Sequence, residues 1–271
     1  MNTRSIIPPV ALFAAILLGA GAASAETLRV GGSGAATEML PHLFAAFEQR
    51  GETKLEVIPS LGSTGGLRAL AAGVLDIAVS GRPLQPEDLA QGLTVSVAIR
   101  TPFGLATSHP SPNGLKSAEI AGIFAAAKAA WADGSRLRII LRPKLDSDTA
   151  VLGGLFPGMS AAIEQARQRT DIATAATDQD NADVAERMSG SLTGATLTQI
   201  KMEKRNLRFV AIDGVEPSLA NLENRTYHFA KTQYFVLPAT PKPAAARFVE
   251  FLRSPAGQTA LLATSNILIA N

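Results

Sequence analysis

Hydrophobic positions along the chain switch repeatedly between a period of two and a period near 3.6. Leu28-Arg29-Val30 reads as a short strand running into glycines. From Thr37 to Gln49 the apolar residues Leu40, Leu43, Phe44 and Phe47 fall on one face of a helix. Lys54 to Ile58 alternates like a strand, with Leu55 and Val57 on one side. A short helix through Leu67 and Leu70 stops at Gly73, and Asp76 to Ser80 and Thr94 to Arg100 read as further strands. This βαβαβ order predicts an α/β lobe with a mostly parallel sheet.

The second half repeats the class of pattern without repeating the sequence. Ala118 to Lys128 is an alanine-rich helix, Trp131-Ala132-Asp133-Gly134 a turn, and Leu137 to Leu141 a buried strand. A helix follows Asp148, and Leu207 to Ile212 is another strand. Pro241 and Pro243 open a helix carrying Ala246, Phe248, Val249 and Phe251, and Ser254-Pro255 starts the last one. No low-complexity linker separates the halves, so strands rather than a tether are expected to join the lobes.

The first residues change the picture by setting the compartment. Arg4 supplies a positive start, Ile6 to Ala20 a short apolar stretch and Ala23-Ser24-Ala25 a small-x-small cleavage pattern. The stretch is shorter than a membrane span and contains Pro8-Pro9, so it reads as a leader cleaved after Ala25. The expected mature chain has 246 residues, starts at Glu26 and carries 24 basic against 23 acidic residues. With no cysteine there is no lipid attachment site at the cleavage point, no disulfide and no thiolate metal site. No basic run suggests a nucleic acid partner, and no later segment is long and apolar enough to cross a membrane.

Three glycine- or hydroxyl-rich loops precede predicted helices: Gly32-Ser33-Gly34, Gly62-Ser63-Thr64-Gly65-Gly66 and Asp146-Ser147-Asp148-Thr149. Each alone reads as an ordinary helix cap. Converging on one cleft, they would offer unpaired N–H groups and hydroxyls to a tetrahedral anion. Other chemistries fit less well. Gly32-x-Gly34-x-x-Thr37 with Glu56 approximates a dinucleotide fingerprint, but Thr37 replaces the small third residue. No G-x-S-x-G elbow occurs, and His42, His109 and His228 stand apart from one another. No histidine–carboxylate cluster has ligand spacing, and Asp178-x-Asp180 lacks a calcium-loop pattern. The reading is therefore a binding protein without catalytic residues, metal or cofactor.

These motifs resemble the periplasmic phosphate-binding proteins of ABC importers, within the type II periplasmic-binding-protein superfamily. The resemblance runs in order along nearly the whole mature chain. It rests on residues 32–37, 61–67 and 76–84, Ile123-Phe124, Trp131 with Asp133-Gly134, residues 142–149 and 213–218, Arg225-Thr226-Tyr227, and residues 248–258. It implies an α/β fold of two lobes, each a mostly parallel sheet flanked by helices, joined by two crossing segments. Lobe 1 would take residues 26–100 and 231–271, and lobe 2 residues 101–230. It also implies a monomer in the periplasm that closes on a small, phosphate-like anion by hinge motion and passes it to an ABC transporter permease.

Carried over position by position, Ser33, Gly34, Ala36 and Thr37 would cap the anion. Ser63 and Thr64 would donate from the second loop, and Gly81 and Arg82 would lie at the next turn. Arg142 would supply a charge-assisted contact, with Ser147, Asp148 and Thr149 on the second lobe. Three positions depart from the family. An aspartate usually follows the serine at Ser80, and here Gly81 stands there. The family's serine-glycine-threonine loop reads Ser147-Asp148-Thr149, and Ala36 falls where threonine is common. Without the acceptor carboxylate, sulfate-like anions are no longer excluded. A carboxylate ~4 Å from a bound anion would cost about 4 kcal/mol at an effective dielectric near 20. Alternatively, Asp148 caps its own helix. Phosphate is the first expectation. The alternatives are a drifted ligand, sulfate-like or organic, or a role in sensing without transport.

Overall fold

A computed structural model describes residues 26–48 and 53–269; the predicted leader and its cleavage site lie outside them. Lobe 1 opens with β1 (Glu26–Gly32), a 3-10 turn at Gly34–Ala36, α1 (Met39–Phe47) and β2 (Thr53–Ile58). It continues with α2 (Gly62–Ala71), β3 (Ile77–Ser80), α3 (Pro86–Ala90) and β4 (Thr94–Thr107). β1 lies between β2 and β3, parallel to both, so the connections through α1 and α2 are crossovers rather than hairpins. Leu28, Val30, Ile77 and Val79 of these strands are buried against Met39, Leu40 and Leu43 of α1. The apolar stripe legible in the sequence is thus the core face, and each such side chain contributes about 1.5–3 kcal/mol by leaving water.

Lobe 2 holds α4 (Ser117–Ala125), β5 (Ala129–Ala130), β6 (Arg136–Leu141), α5 (Ser147–Leu155), α6 (Met159–Arg167) and β7 (Ala173–Thr174). After these come α7 (Asp178–Arg187), β8 (Ser191–Thr196), α8 (Leu197–Met202), β9 (Arg208–Phe209) and α9 (Leu219–Glu223). β6 runs parallel to β7 and β8. A second core forms around Phe103, Phe124, Trp131, Ile139, Met159 and Ile163. The chain then returns through β10 (Ala230–Leu237), α10 (Pro243–Arg253), α11 (Pro255–Ala263) and β11 (Ile267–Leu268). Phe248 of α10 joins the first core and packs edge-on to Phe47 at 5.4 Å.

β4 is twice the length expected from its alternation. Its first half pairs antiparallel with β10, from Thr94–Leu237 to Pro102–Ala230, and its second half pairs with β8, from Phe103–Thr196 to Ala106–Thr193. Pro102, which has no N–H to give, stands where the strand leaves one partner for the other. β4 and the start of β10 are the two crossing segments, held side by side where Phe103 N–H donates to Phe229 O at 3.0 Å. The expected strand at 207–212 shrinks to β9 and two isolated bridges at Ile212, to Leu115 and to Val215. The two-lobed α/β architecture stands, with parallel strands at the heart of each lobe and antiparallel crossing strands between them.

Candidate functional site

A cleft of about 390 Å³ opens between the lobes. One wall is Gly34, residues 60–65, Arg68 and Arg82; the other is residues 142–143, 145–147 and 176–179. The glycine-serine loop does not precede its helix but forms its first turn, since α2 starts at Gly62. Leu61, the N-cap, has no side-chain acceptor, so the first N–H groups of α2 lack the usual cap. Ser63 Oγ accepts from Gly81 N–H at 2.8 Å, tying this turn to the end of β3.

Of the predicted ligand residues, Gly34, Ser63, Thr64, Arg82, Arg142 and Ser147 line the cleft. The others are placed differently. Ser33 is buried, its backbone N–H bonded to Val79 O and its Oγ without a partner among the described residues. Ala36 belongs to the lobe 1 core, while Thr37 is half-buried and closes the 3-10 turn onto Gly34 O. Thr149 Oγ1 donates to Pro143 O at 2.9 Å, which stabilises its own loop. Arg82 is engaged by Asp88 at 2.7 Å. Asp148 does not cap its helix: Asp146 is the N-cap of α5 and accepts from Asp148 N–H at 2.8 Å.

Asp148 instead reaches across to the crossing strand β10, where its carboxylate pairs with Lys231 Nζ. Both groups are out of water, Asp148 at 4% exposure and Lys231 at 0%. Burial pushes the Asp148 carboxyl up, to about 7; Lys231 pulls it down, and Asp178 and Asp146 push it up again. Burial works against the Lys231 charge too, but the surrounding carboxylates outweigh it and raise its pKa. Arg142, 6% exposed, donates to Ala175 O and to Asp146 Oδ2, each at 2.8 Å, and approaches Asp178 Oδ2 at 3.9 Å. Its Nε is buried without a partner among the described residues.

Two glycines let the lobes meet. A Cβ at Gly81 would stand 2.8 Å from both Lys231 Cε and Ser147 Oγ. A Cβ at Gly34 would stand 2.5 Å from Asp178 Oδ2. The departures at Gly81 and Asp148 are therefore one rearrangement in space, because Lys231 occupies the room above Gly81 and neutralises Asp148.

Sequence reasoning missed Lys231, Asp178, Gln179 and Arg68. Lys231 carried a signal, a cation at a core-facing position of the alternating strand Ala230 to Leu237. Asp178 and Gln179 carried none, since their capping box, Thr177 with Asp180, reads as an ordinary helix start.

Residues 19–256 match the family described as PBP superfamily domain. No curated protein sequence matches the chain. Among solved structures it is similar to a putative phosphate ABC transporter substrate-binding protein from Clostridium perfringens. That likeness has a TM-score of 0.74 at 16% identity and covers 90% of this chain and 100% of the other. It is similar to an ABC-type phosphate transport receptor from Vibrio cholerae, with TM-score 0.60, 14% identity, and 90% and 100% of the two chains covered. The periplasmic molybdate-binding protein of Azotobacter vinelandii gives 0.61 at 14% identity, again with 90% and 100% covered.

Proposed function

The chain belongs to the PBP superfamily, and from that premise we propose that it is exported to the periplasm and captures a small oxyanion for an ABC importer. The observation that carries this reading is the meeting of cationic side chains and uncapped N–H groups at the cleft. Arg142 and Lys231 are buried beside it, and the first turn of α2 borders it. In the present arrangement the only anions among the described residues that face these cations are the protein's own carboxylates. The similar structures named above are described as phosphate- and molybdate-binding proteins, which supports an oxyanion as ligand class. Closure would be a hinge motion about β4 and β10.

A second reading, a larger or sulfate-like anion, is favoured by two observations. The cleft of about 390 Å³ falls in the range of sites for molecules of many heavy atoms. The position above Gly81 holds a cation rather than an acceptor for a ligand proton. Calorimetric titration of phosphate, sulfate, molybdate and a set of organic phosphates separates the readings. Micromolar or tighter binding of phosphate or molybdate supports the first, and preferential binding of sulfate or of organic phosphates supports the second. Absence of binding by every anion sinks both.

A further inference from the structure

Asp178 is the first residue of α7 in lobe 2, yet its carboxylate has no task on its own helix. The start of α7 is closed by a reciprocal pair: Thr177 Oγ1 accepts from Asp180 N–H at 3.0 Å, and Asp180 Oδ2 accepts from Thr177 N–H at 3.1 Å. Gln199 Nε2 holds the Asp178 carbonyl at 2.9 Å and so fixes where the residue stands. From there the side chain, 9% exposed, enters lobe 1. It accepts the backbone N–H of Ala35, lies against Gly34 where a Cβ has no room, and shares a hydrogen bond with Asp148. Arg142 Nη2 is 3.9 Å away. The next residue strengthens the contact, since Gln179 Nε2 donates to Gly34 O at 3.0 Å.

We propose that Asp178 is an internal anion: it occupies the seat between Ala35 N–H, Arg142 and Lys231 that an oxyanion would take, and it latches the two lobes together. The charge is maintained there. Burial opposes ionisation of Asp178, but Lys231, Arg142 and the hydrogen bonds outweigh it and hold the carboxyl below its usual range. The charged or titratable groups that face it are Asp148 from α5, Arg142 from the preceding loop and Lys231 from β10, and Asp146 meets it through their shared partner Arg142.

Capture is then an exchange rather than a filling, with the carboxylate leaving as the ligand enters. A competitor that leaves the seat free ~1% of the time weakens apparent affinity about a hundredfold. It also selects. A monoanion offers no more charge than Asp178 already supplies, whereas a tetrahedral dianion offers twice the charge and more acceptor oxygens.

This inference rests on the oxyanion reading for its ligand but not for its latch, and the test separates them. Solute-free wild type and Asp178→Asn are compared by small-angle X-ray scattering, and inorganic phosphate is titrated into each by calorimetry. The expected result is a larger radius of gyration for solute-free Asp178→Asn, restored by phosphate, and phosphate affinity at least ~10-fold above wild type. If Asp178→Asn expands but neither protein binds phosphate, sulfate or molybdate, the latch stands and the oxyanion reading fails. If Asp178→Asn stays as compact as wild type, the latch is overturned whatever binds. Should that variant fail to fold by circular dichroism, Gln179→Ala removes the amide's hydrogen bond to Gly34 O, its only one to lobe 1 among the described residues, together with its bond to Glu203 Oε1 within lobe 2. It should then show a smaller expansion, and an unchanged radius would overturn the proposal.

Discussion

The lobe 1 wall of the cleft presents mostly backbone and hydroxyls, from Gly34 and the first turn of α2. The lobe 2 wall presents charged side chains, Asp146 at the start of α5 and Asp178 at the start of α7, with Arg142 beside them and Asp148 buried behind. The difference matters because fixed dipoles accept an anion at little cost when empty. Buried charges must be partnered at all times. Lobe 1 can wait for a ligand uncompensated, and lobe 2 cannot. Its carboxylates and cations therefore satisfy one another, and Lys231, on the strand that joins the lobes, completes the set.

The comparison breaks most sharply at Lys231. Lys231→Met leaves Asp148 buried without its partner, so unfolding free energy measured in denaturant should fall by about 3–5 kcal/mol. Adding Asp148→Leu should restore part of the loss, because replacing both members of a buried ion pair is often near neutral. A single variant as stable as wild type would mean the pair carries no weight.

Arg142 and Ser63 compare the two walls directly. Arg142→Ala removes a charged donor and should weaken oxyanion binding by tenfold to a hundredfold, about 1.5–3 kcal/mol. Ser63→Ala removes a neutral acceptor from Gly81 N–H and should cost about 0.5–1.5 kcal/mol, a few-fold to tenfold. Calorimetry on both variants tests the ranking, and an equal or reversed loss would erase the distinction between dipolar and ionic walls.

How far the sequence carried the picture follows the same division. The lobe 1 wall was readable because its parts are contiguous: Gly32-Ser33-Gly34 follows one strand, and Gly62 to Gly66 opens one helix. The lobe 2 wall was not, because Arg142, Asp148, Asp178 and Lys231 come from four separate places and meet only in the fold. Gly81 and Asp148 stood out as two independent departures, and the residue linking them, Lys231, lies 83 positions from Asp148. Their meaning is pairwise and long-range, which local pattern does not encode. β4 was cut short for a related reason. Its second half, buried throughout, loses the alternation that marked the first.

The ionic wall also has a pH signature. The Asp148 carboxyl is raised to about 7 in the fold, against an unfolded value of about 4. Between these values the folded protein binds more protons than the unfolded chain, so this group makes stability fall as pH rises through the window. Asp178, held below its usual range, acts in the opposite sense, and its contribution is lost only as pH drops below about 4. The Tm of the wild type should therefore rise as pH is lowered from about 7.5 to about 5, and Asp148→Asn should flatten that rise. Parallel curves for the two proteins would place the proton elsewhere.

The smallest expected effect separates the two arginines on the lobe 1 wall. Arg82 is bound by Asp88, which also accepts Gln85 N–H at 2.8 Å in the cap of α3. Its charge is spent on its own lobe. Arg68 is exposed, lines the cleft and has no ion pair among the described residues. Its expected action on a ligand is long-range attraction, which salt screens with a Debye length of about 10 Å at 0.1 M. Arg68→Ala should slow oxyanion association no more than a few-fold at low salt, with the difference vanishing near 1 M, where the screening length is about 3 Å. Arg82→Ala should leave the association rate alone and lower Tm instead, through the loss of its bond to Asp88. Stopped-flow association at two ionic strengths, with melting curves for both variants, decides the matter. A salt-independent loss in Arg68→Ala would mean that this arginine touches the ligand, and the lobe 1 wall would then be ionic as well.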